Sequence, residues 1–233
     1  MILIDEYDKP IIDYIEDIPQ AEKNREILKN FYSILKGNDK YIKFLFITGV
    51  SKFSKVSIFS DLNHLNDITL NENYATLTGY TEQELDIYFS EYLQLADDKL
   101  KEYFPSVREA IKKWYNGYSW NGVDFVYNPF SLLGFFTNLK FDDFWYATGT
   151  PTFLMNLIKK RNFSVMDIEN IEVHSDAFDK YELESLELIA LLFQTGYLTI
   201  KAYNPGTGLY KLEFPNKEVM RAFRTQLLAV LCE

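Results

Sequence analysis

Two adjacent carboxylates, Asp5 and Glu6, close a run of three apolar residues, Ile2-Leu3-Ile4. If that run is a parallel strand, its carboxyl end is the sheet edge at which α/β folds bind ligands, and both acids emerge there. In nucleotide hydrolysis the first acid of such a pair holds magnesium, often through water, and the second orients an attacking water. Asp5 and Glu6 fit those two roles; a strand end that simply reaches solvent carries the same pattern, since an apolar run followed by two acids is common. Thr48 closes a second apolar run, Tyr41 to Ile47, just before Gly49. It would lie beside Asp5 if the two strands pair, where a polar residue senses a terminal phosphate or merely finishes a strand into a turn. Four lysines (Lys40, Lys43, Lys52 and Lys55) and no acid fall between Lys40 and Ser60, in a chain of net charge -10. Lys52 and Lys55 sit in the loop at the expected ligand edge, where cations meet phosphate oxygens; a solvated basic loop is the alternative.

The elements that would position these residues are legible in the apolar spacing. Ile2 to Ile4 is short, β-branched and wholly apolar, and reads as a buried parallel strand, as does Tyr41 to Thr48. Between them, Pro19 to Lys36 carries Ile27, Leu28, Phe31, Ile34 and Leu35 at helical spacing, which predicts an amphipathic helix. Strand, helix, strand is the unit of an open α/β sheet. Beyond it, Thr81 and Glu84 have capping-box spacing for a helix over Thr81 to Ser90, and Pro105 to Trp114 follows as another. Tyr118 to Tyr127 reads as a hairpin around Asn121-Gly122. Pro129 to Phe136 and Pro151 to Lys160 are helices with Pro in the first turn. Leu183 to Phe193 is a very apolar helix, Tyr197 to Tyr203 and Leu209 to Phe214 are strands, and Asn216 to Leu231 is amphipathic with Val219, Phe223, Leu227 and Leu231 inward. Helix, hairpin, helix resembles a small winged-helix unit. Soft boundaries near residues 78 and 180 divide the chain into an α/β core (1–78), a helical lid (79–180) and a winged-helix-like unit (181–233).

Composition bounds the rest. The chain has 233 residues, 47% hydrophobic and 17% aromatic, enough for a full core and against disorder. Its acidity disfavours broad attraction to nucleic acid or anionic membrane. A single cysteine, Cys232, excludes an internal disulfide and a cysteine-based zinc site. The start lacks a signal-peptide core and no apolar run is long enough to span a bilayer, so the expected setting is cytoplasmic. His64 and His174 have no paired ligand spacing, and Asp61, Asn63 and Asp67 read as a polar turn better than as a cation site. In Tyr115-Asn116-Gly117-Tyr118 and Tyr127-Asn128-Pro129, a turn and a helix cap by Asn128 are favoured over a base-stacking surface.

The run Ile2 to Ile11 (ILIDEYDKPI) resembles the segment around the acidic strand in the AAA-ATPase-like family, bacterial P-loop NTPase domains often fused to a PD-(D/E)XK nuclease-like domain. Thr48 to Thr69 (TGVSKFSKVSIFSDLNHLNDIT) resembles that family's longest signature. Later blocks recur in order: WYNGY from Trp114, YNPFSL from Tyr127, TGTPTFL from Thr148, LFQTGYLTI from Leu192 and FPNKEV from Phe214. The resemblance implies an ATP-binding α/β core, a helical lid and a winged-helix-like tail, with ATP and Mg2+ as ligands. It places Asp5 in the magnesium role and Glu6 in the catalytic-acid position, with Thr48, Ser51 and Lys52 in the sensor stretch.

The sequence also departs from that pattern. A phosphate-binding loop needs glycines for backbone approach, a Lys on the phosphates and a Ser or Thr on magnesium. None of the 10 glycines is followed by Lys, so ATP binding by these residues alone is doubtful and hydrolysis is not expected. The strand ending at Thr48 is then expected to have an open apolar edge. Either the segment Asp67 to Leu70 shifts inward as a strand, or a second copy or another chain fills the gap. A non-catalytic module that binds protein or nucleic acid is the rival reading. Residues 197–233 hold five basic and three acidic side chains, mild support for a wing on DNA, and a packing role is preferred.

Overall fold

Ile2-Leu3-Ile4 and Leu45-Phe46-Ile47 pair as parallel strands, Ile2 opposite Leu45, Leu3 opposite Phe46 and Ile4 opposite Ile47. The structure, a computed structural model, is mixed α/β with small sheets and describes residues 1–50, 65–145, 154, 158, 171–178 and 188–231. Contacts divide the chain into two units: Met1–Asn66 with Ser175–Thr195, and Asp67–His174 with Gly196–Glu233.

The first unit opens with β1 (Ile2–Ile4), α1 (Lys9–Ile12), α2 (Ile18–Gly37) and β2 (Leu45–Ile47). Asp17 starts α2 by accepting the Gln20 amide at 3.3 Å, and Pro19 lies in the first turn, where its missing N–H costs nothing. The expected βαβ unit is therefore present, with two corrections. The second strand is shorter than Tyr41 to Thr48, because Asp39–Tyr41 folds into a 3-10 turn before it. The strands are also not buried on both faces: Leu3 is 62% exposed and Phe44 51%. Of the stripe the spacing suggested, the helix buries Leu35, which faces inward with Ala21 and Tyr32, while Ile27, Phe31 and Ile34 are exposed. Asp67 to Leu70 does not form a strand. The Asp67 carboxylate accepts the Thr69 amide at 3.1 Å and the Asn71 amide turns back to the Ile68 carbonyl at 3.2 Å. Among the described residues β1 and β2 have only each other as neighbours. Later residues complete this unit: a 3-10 turn at Ser175–Phe178 packs on the apolar helix Leu188–Gln194, with the Phe178 and Phe193 rings 4.5 Å apart.

The second unit begins with helices whose ends are set locally. Thr81 and Glu84 exchange the expected capping box at the start of α3 (Glu82–Tyr88), with Glu84 N to Thr81 Oγ1 at 3.1 Å and Thr81 N to Glu84 Oε2 at 2.8 Å. Then come α4 (Ser90–Leu100), α5 (Val107–Tyr115), the short hairpin β3 (Asn116–Tyr118) and β4 (Val126–Tyr127), and α6 (Pro129–Asn138). Asn128 caps α6 through the Ser131 amide at 3.1 Å. The core gathers Leu85, Ile111, Trp114, Tyr115, Tyr127, Leu132 and Phe135. Tyr115 is fully buried, and its hydroxyl donates to the Asp142 carbonyl while accepting the Asp142 amide. A stacking surface for a base is thereby excluded at Tyr115.

A strand the apolar spacing did not reveal, β5 (Ile171–Val173), joins β6 (Thr199–Asn204) and β7 (Leu209–Glu213) in an antiparallel sheet of order β5-β7-β6. The last helix, Lys217–Leu231, buries Val219, Phe223 and Leu227 as expected. Two distant segments are tied together in this unit. Thr199 Oγ1 accepts the Ser119 amide at 2.7 Å and donates to the Ser119 carbonyl at 2.8 Å. Lys201 Nζ donates to the carbonyls of Gly117 and Pro215, at 3.2 and 2.8 Å. Gly117 has φ +117°, and a Cβ there would lie 2.0 Å from the Pro215 oxygen, so no other residue fits. Nearby, Glu218 is wholly buried; one carboxyl oxygen accepts the Trp145 amide at 2.8 Å, and the other has no hydrogen-bond partner.

Candidate functional site

The parallel pairing continues one step past both strands. Thr48 N donates to the Ile4 carbonyl at 2.8 Å and Tyr7 N to the Thr48 carbonyl at 3.0 Å. Asp5 and Thr48 therefore stand side by side at the carboxyl end of the sheet, as the sequence predicts. The Thr48 hydroxyl donates to Asp5 Oδ1, and the Glu6 amide donates to the same oxygen at 3.1 Å. Glu6 has a left-handed backbone, φ 49°, which turns the chain sharply away from the strand. Asp5, Glu6 and Thr48 are all exposed. Beside them lies a shallow depression of about 230 Å³ lined by Leu3, Ile4, Asp5, Phe46 and Thr48.

Beneath this edge lies a residue that sequence reasoning missed. Asp8 is fully buried, and its Oδ1 accepts the Val50 amide at 3.1 Å. Gly49 passes so close that a Cβ would stand 2.4 Å from the Tyr7 ring and 2.8 Å from Asp8 Oδ1. Tyr32 of α2 sets its ring edge-on to Tyr7 with centroids 6.5 Å apart. Burial first, and the Asp8 charge second, push the Tyr32 hydroxyl above its ordinary value. The visible signal was the glycine directly after Thr48, which invites the question of what crowds it.

Of the residues singled out in the sequence, the structure unites Asp5 with Thr48 and sets Glu6 next to them. Ser51, Lys52 and Lys55 lie outside the described residues, as do Asp61, Asn63 and His64. Among the described residues no group of three His, Cys, Asp or Glu side chains gathers as for a metal ion. A magnesium ion that shares its coordination with waters and phosphates needs only one or two carboxylates. The donors here suit such an ion: they are hard oxygens. Asp5 is held by two hydrogen bonds on one oxygen, while a carboxylate offers about four lone-pair sites.

A family model described as predicted AAA-ATPase matches residues 1–59, which contain β1, α1, α2, β2 and both acids. Over these residues the chain is similar to the AAA-ATPase-like family. Similarity to a second protein extends further: an uncharacterised protein in the vnfD 5' region of Azotobacter chroococcum mcd 1 is 40% identical over 230 residues. The match covers 98% of this chain and 42% of that relative, so the chain spans less than half of the relative's length. No solved structure matches it. Among the described residues no helix is long and apolar enough to cross a membrane.

Proposed function

We infer that the Asp5–Thr48 edge is the magnesium side of an ATP site. The observation that supports this reading most is the Thr48 hydroxyl on the Asp5 carboxylate, at the carboxyl end of a parallel pair. In this reading Asp5 would hold the magnesium ion of Mg-ATP, Thr48 keeps Asp5 oriented, and Glu6 orients a water. Bound magnesium would supply neutralisation of charge on the phosphate oxygens. Lys52, and with it Ser51 and Lys55, would contribute on the phosphate side. The β1–β2 pair is then a remnant of a P-loop sheet, residues 79–180 a helical lid and 181–233 a winged-helix-like unit. A second copy or another chain would cover the sheet edge.

None of the 10 glycines in these 233 residues is followed by Lys, and phosphoryl-transfer catalysis is nearly all positioning and electrostatics around the phosphates. These residues by themselves therefore bind Mg-ATP weakly and do not hydrolyse it. Calorimetric titration to about 1 mM Mg-ATP should give binding that Asp5→Ala removes, with no phosphate release. Release of inorganic phosphate at a rate abolished by Glu6→Gln would overturn the incompetence, and silence throughout the titration would overturn the nucleotide reading in favour of a non-catalytic interaction module.

A further inference from the structure

We propose that Asp8 is a positioning residue for this edge: its buried carboxylate holds the Val50 amide, and thereby fixes the Thr48–Val50 turn that sets the Thr48 hydroxyl against Asp5. The proposal rests on the ATP-site reading above for its purpose, and on geometry alone for its content.

A carboxylate with no solvent exposure has to repay the loss of water through hydrogen bonds. Part of that repayment here comes from the Val50 amide, forty-two residues away in the chain. On its upstream side the turn is pinned by Thr48 N to Ile4 O and Tyr7 N to Thr48 O. Those two bonds fix the Thr48 backbone; they leave the direction of Gly49 and Val50 open. Gly49 is the hinge of that freedom, since it has no side chain, and it lies where only a missing Cβ lets Tyr7 and Asp8 approach. Asp8 is itself held firmly. Its carbonyl accepts the amides of Ile11 and Ile12 at the start of α1, and Ile11 is fully buried. The left-handed step at Glu6 reverses the chain between Asp5 and Asp8, so that one acid faces outward and the other inward. The pair thus divides the labour: Asp5 meets the ligand and Asp8 holds the turn that holds Asp5.

The test uses amide hydrogen exchange read by NMR on the whole chain, with manganese(II) standing in for magnesium. In Asp8→Ala the Val50 amide should exchange about tenfold faster, the scale of one lost hydrogen bond to a charged acceptor. The ladder amide of Thr48 should stay protected, and manganese broadening of the Asp5 and Thr48 signals should need more metal. Asp8→Asn keeps an oxygen that accepts the Val50 amide, so it should restore both readouts. The proposal fails if Val50 stays as protected in Asp8→Ala as in the parent chain. It also fails if Ala and Asn alike deprotect every amide from Ile2 to Thr48, because Asp8 would then be a general support of the unit. If manganese leaves Asp5 unbroadened in the parent chain, the ATP-site reading falls, whereas Val50 exchange still decides the role of Asp8.

Discussion

In the unit formed by Asp67–His174 and Gly196–Glu233, the aromatic residues close on one another: Tyr115, Tyr127 and Phe135 are fully buried and Trp114 nearly so. In the unit formed by Met1–Asn66 and Ser175–Thr195, large apolar side chains stand in the open on α2 (Ile27, Phe31, Ile34), on β1 (Leu3) and just ahead of β2 (Phe44), whereas the second unit exposes others, such as Ile87, Leu95 and Phe130, on its helices. Both units draw on the same apolar vocabulary. Among the described residues the first unit packs a two-stranded sheet with α1, α2 and the helix Leu188–Gln194, whereas the second packs more helices with the β3–β4 hairpin and a three-stranded sheet. Parallel pairs normally lie covered on both faces and among further strands. Asp5 and Glu6 thus sit on the unit with the smaller described sheet.

All three tryptophans (Trp114, Trp120 and Trp145) belong to the second unit, so intrinsic fluorescence reports that unit separately, and amide exchange can follow the first. The largest effect is expected at Tyr115. Tyr115→Ala opens a cavity and removes both bonds to Asp142, and should cost about 3–5 kcal/mol in a urea transition followed by fluorescence. A loss near zero would mean that this core is as loosely covered as the first unit.

A smaller effect depends on pH. Burial, opposed by the nearby Ser131 hydroxyl and the Trp145 amide and reinforced by Asp143, pushes Glu218 up to about 7 from the ordinary value of 4.5. The folded form then keeps a proton that the unfolded chain releases, so stability is full below the ordinary value and is lost as pH rises toward the raised one. Glu218→Gln, uncharged throughout, should flatten that slope and be more stable than the parent by ~1–3 kcal/mol above the window. Equal slopes in the two proteins would remove Glu218 from the account.

The smallest effect is expected on α2. Phe31→Ser should change the stability of the first unit by no more than about 0.5 kcal/mol, read from exchange of the α2 amides, because Phe31 is more than half exposed. A loss of several kcal/mol would show that this face is covered in solution, and the contrast between the units would disappear.

Local signals were readable in the sequence wherever neighbours along the chain decide the structure. The Thr81–Glu84 capping box, the Asn128 cap, the Asn121-Gly122 turn and the inward face of Lys217–Leu231 each follow from residues within one or two turns of one another. The face of α2 was not readable, because two apolar stripes compete and the choice rests on partners far along the chain. Tyr41 to Thr48 looked like one strand since its residues are mostly apolar, yet Asn38 and Asp39 start a tight turn that takes the first of them. β5 is three residues long, and only its pairing with β7 makes it a strand. At the site, Asp5 and Thr48 were legible from strand ends alone. Asp8 was not, since a buried acid and an exposed one have the same letter and only the passage of Gly49 beside it tells them apart.

The reciprocal bonds between Ser119 and Thr199 have a consequence for how the molecule is made. A ribosome that has released α3 to α6 has not yet supplied Thr199 or Lys201, so Ser119 and the carbonyl of Gly117 must wait for partners eighty or more residues downstream. Closing so long an interval is slow relative to forming the helices. The nascent chain should therefore linger as a helical intermediate whose hairpin is unclasped, and a stall or truncation before the last helix would leave that intermediate exposed to proteases and to holding chaperones.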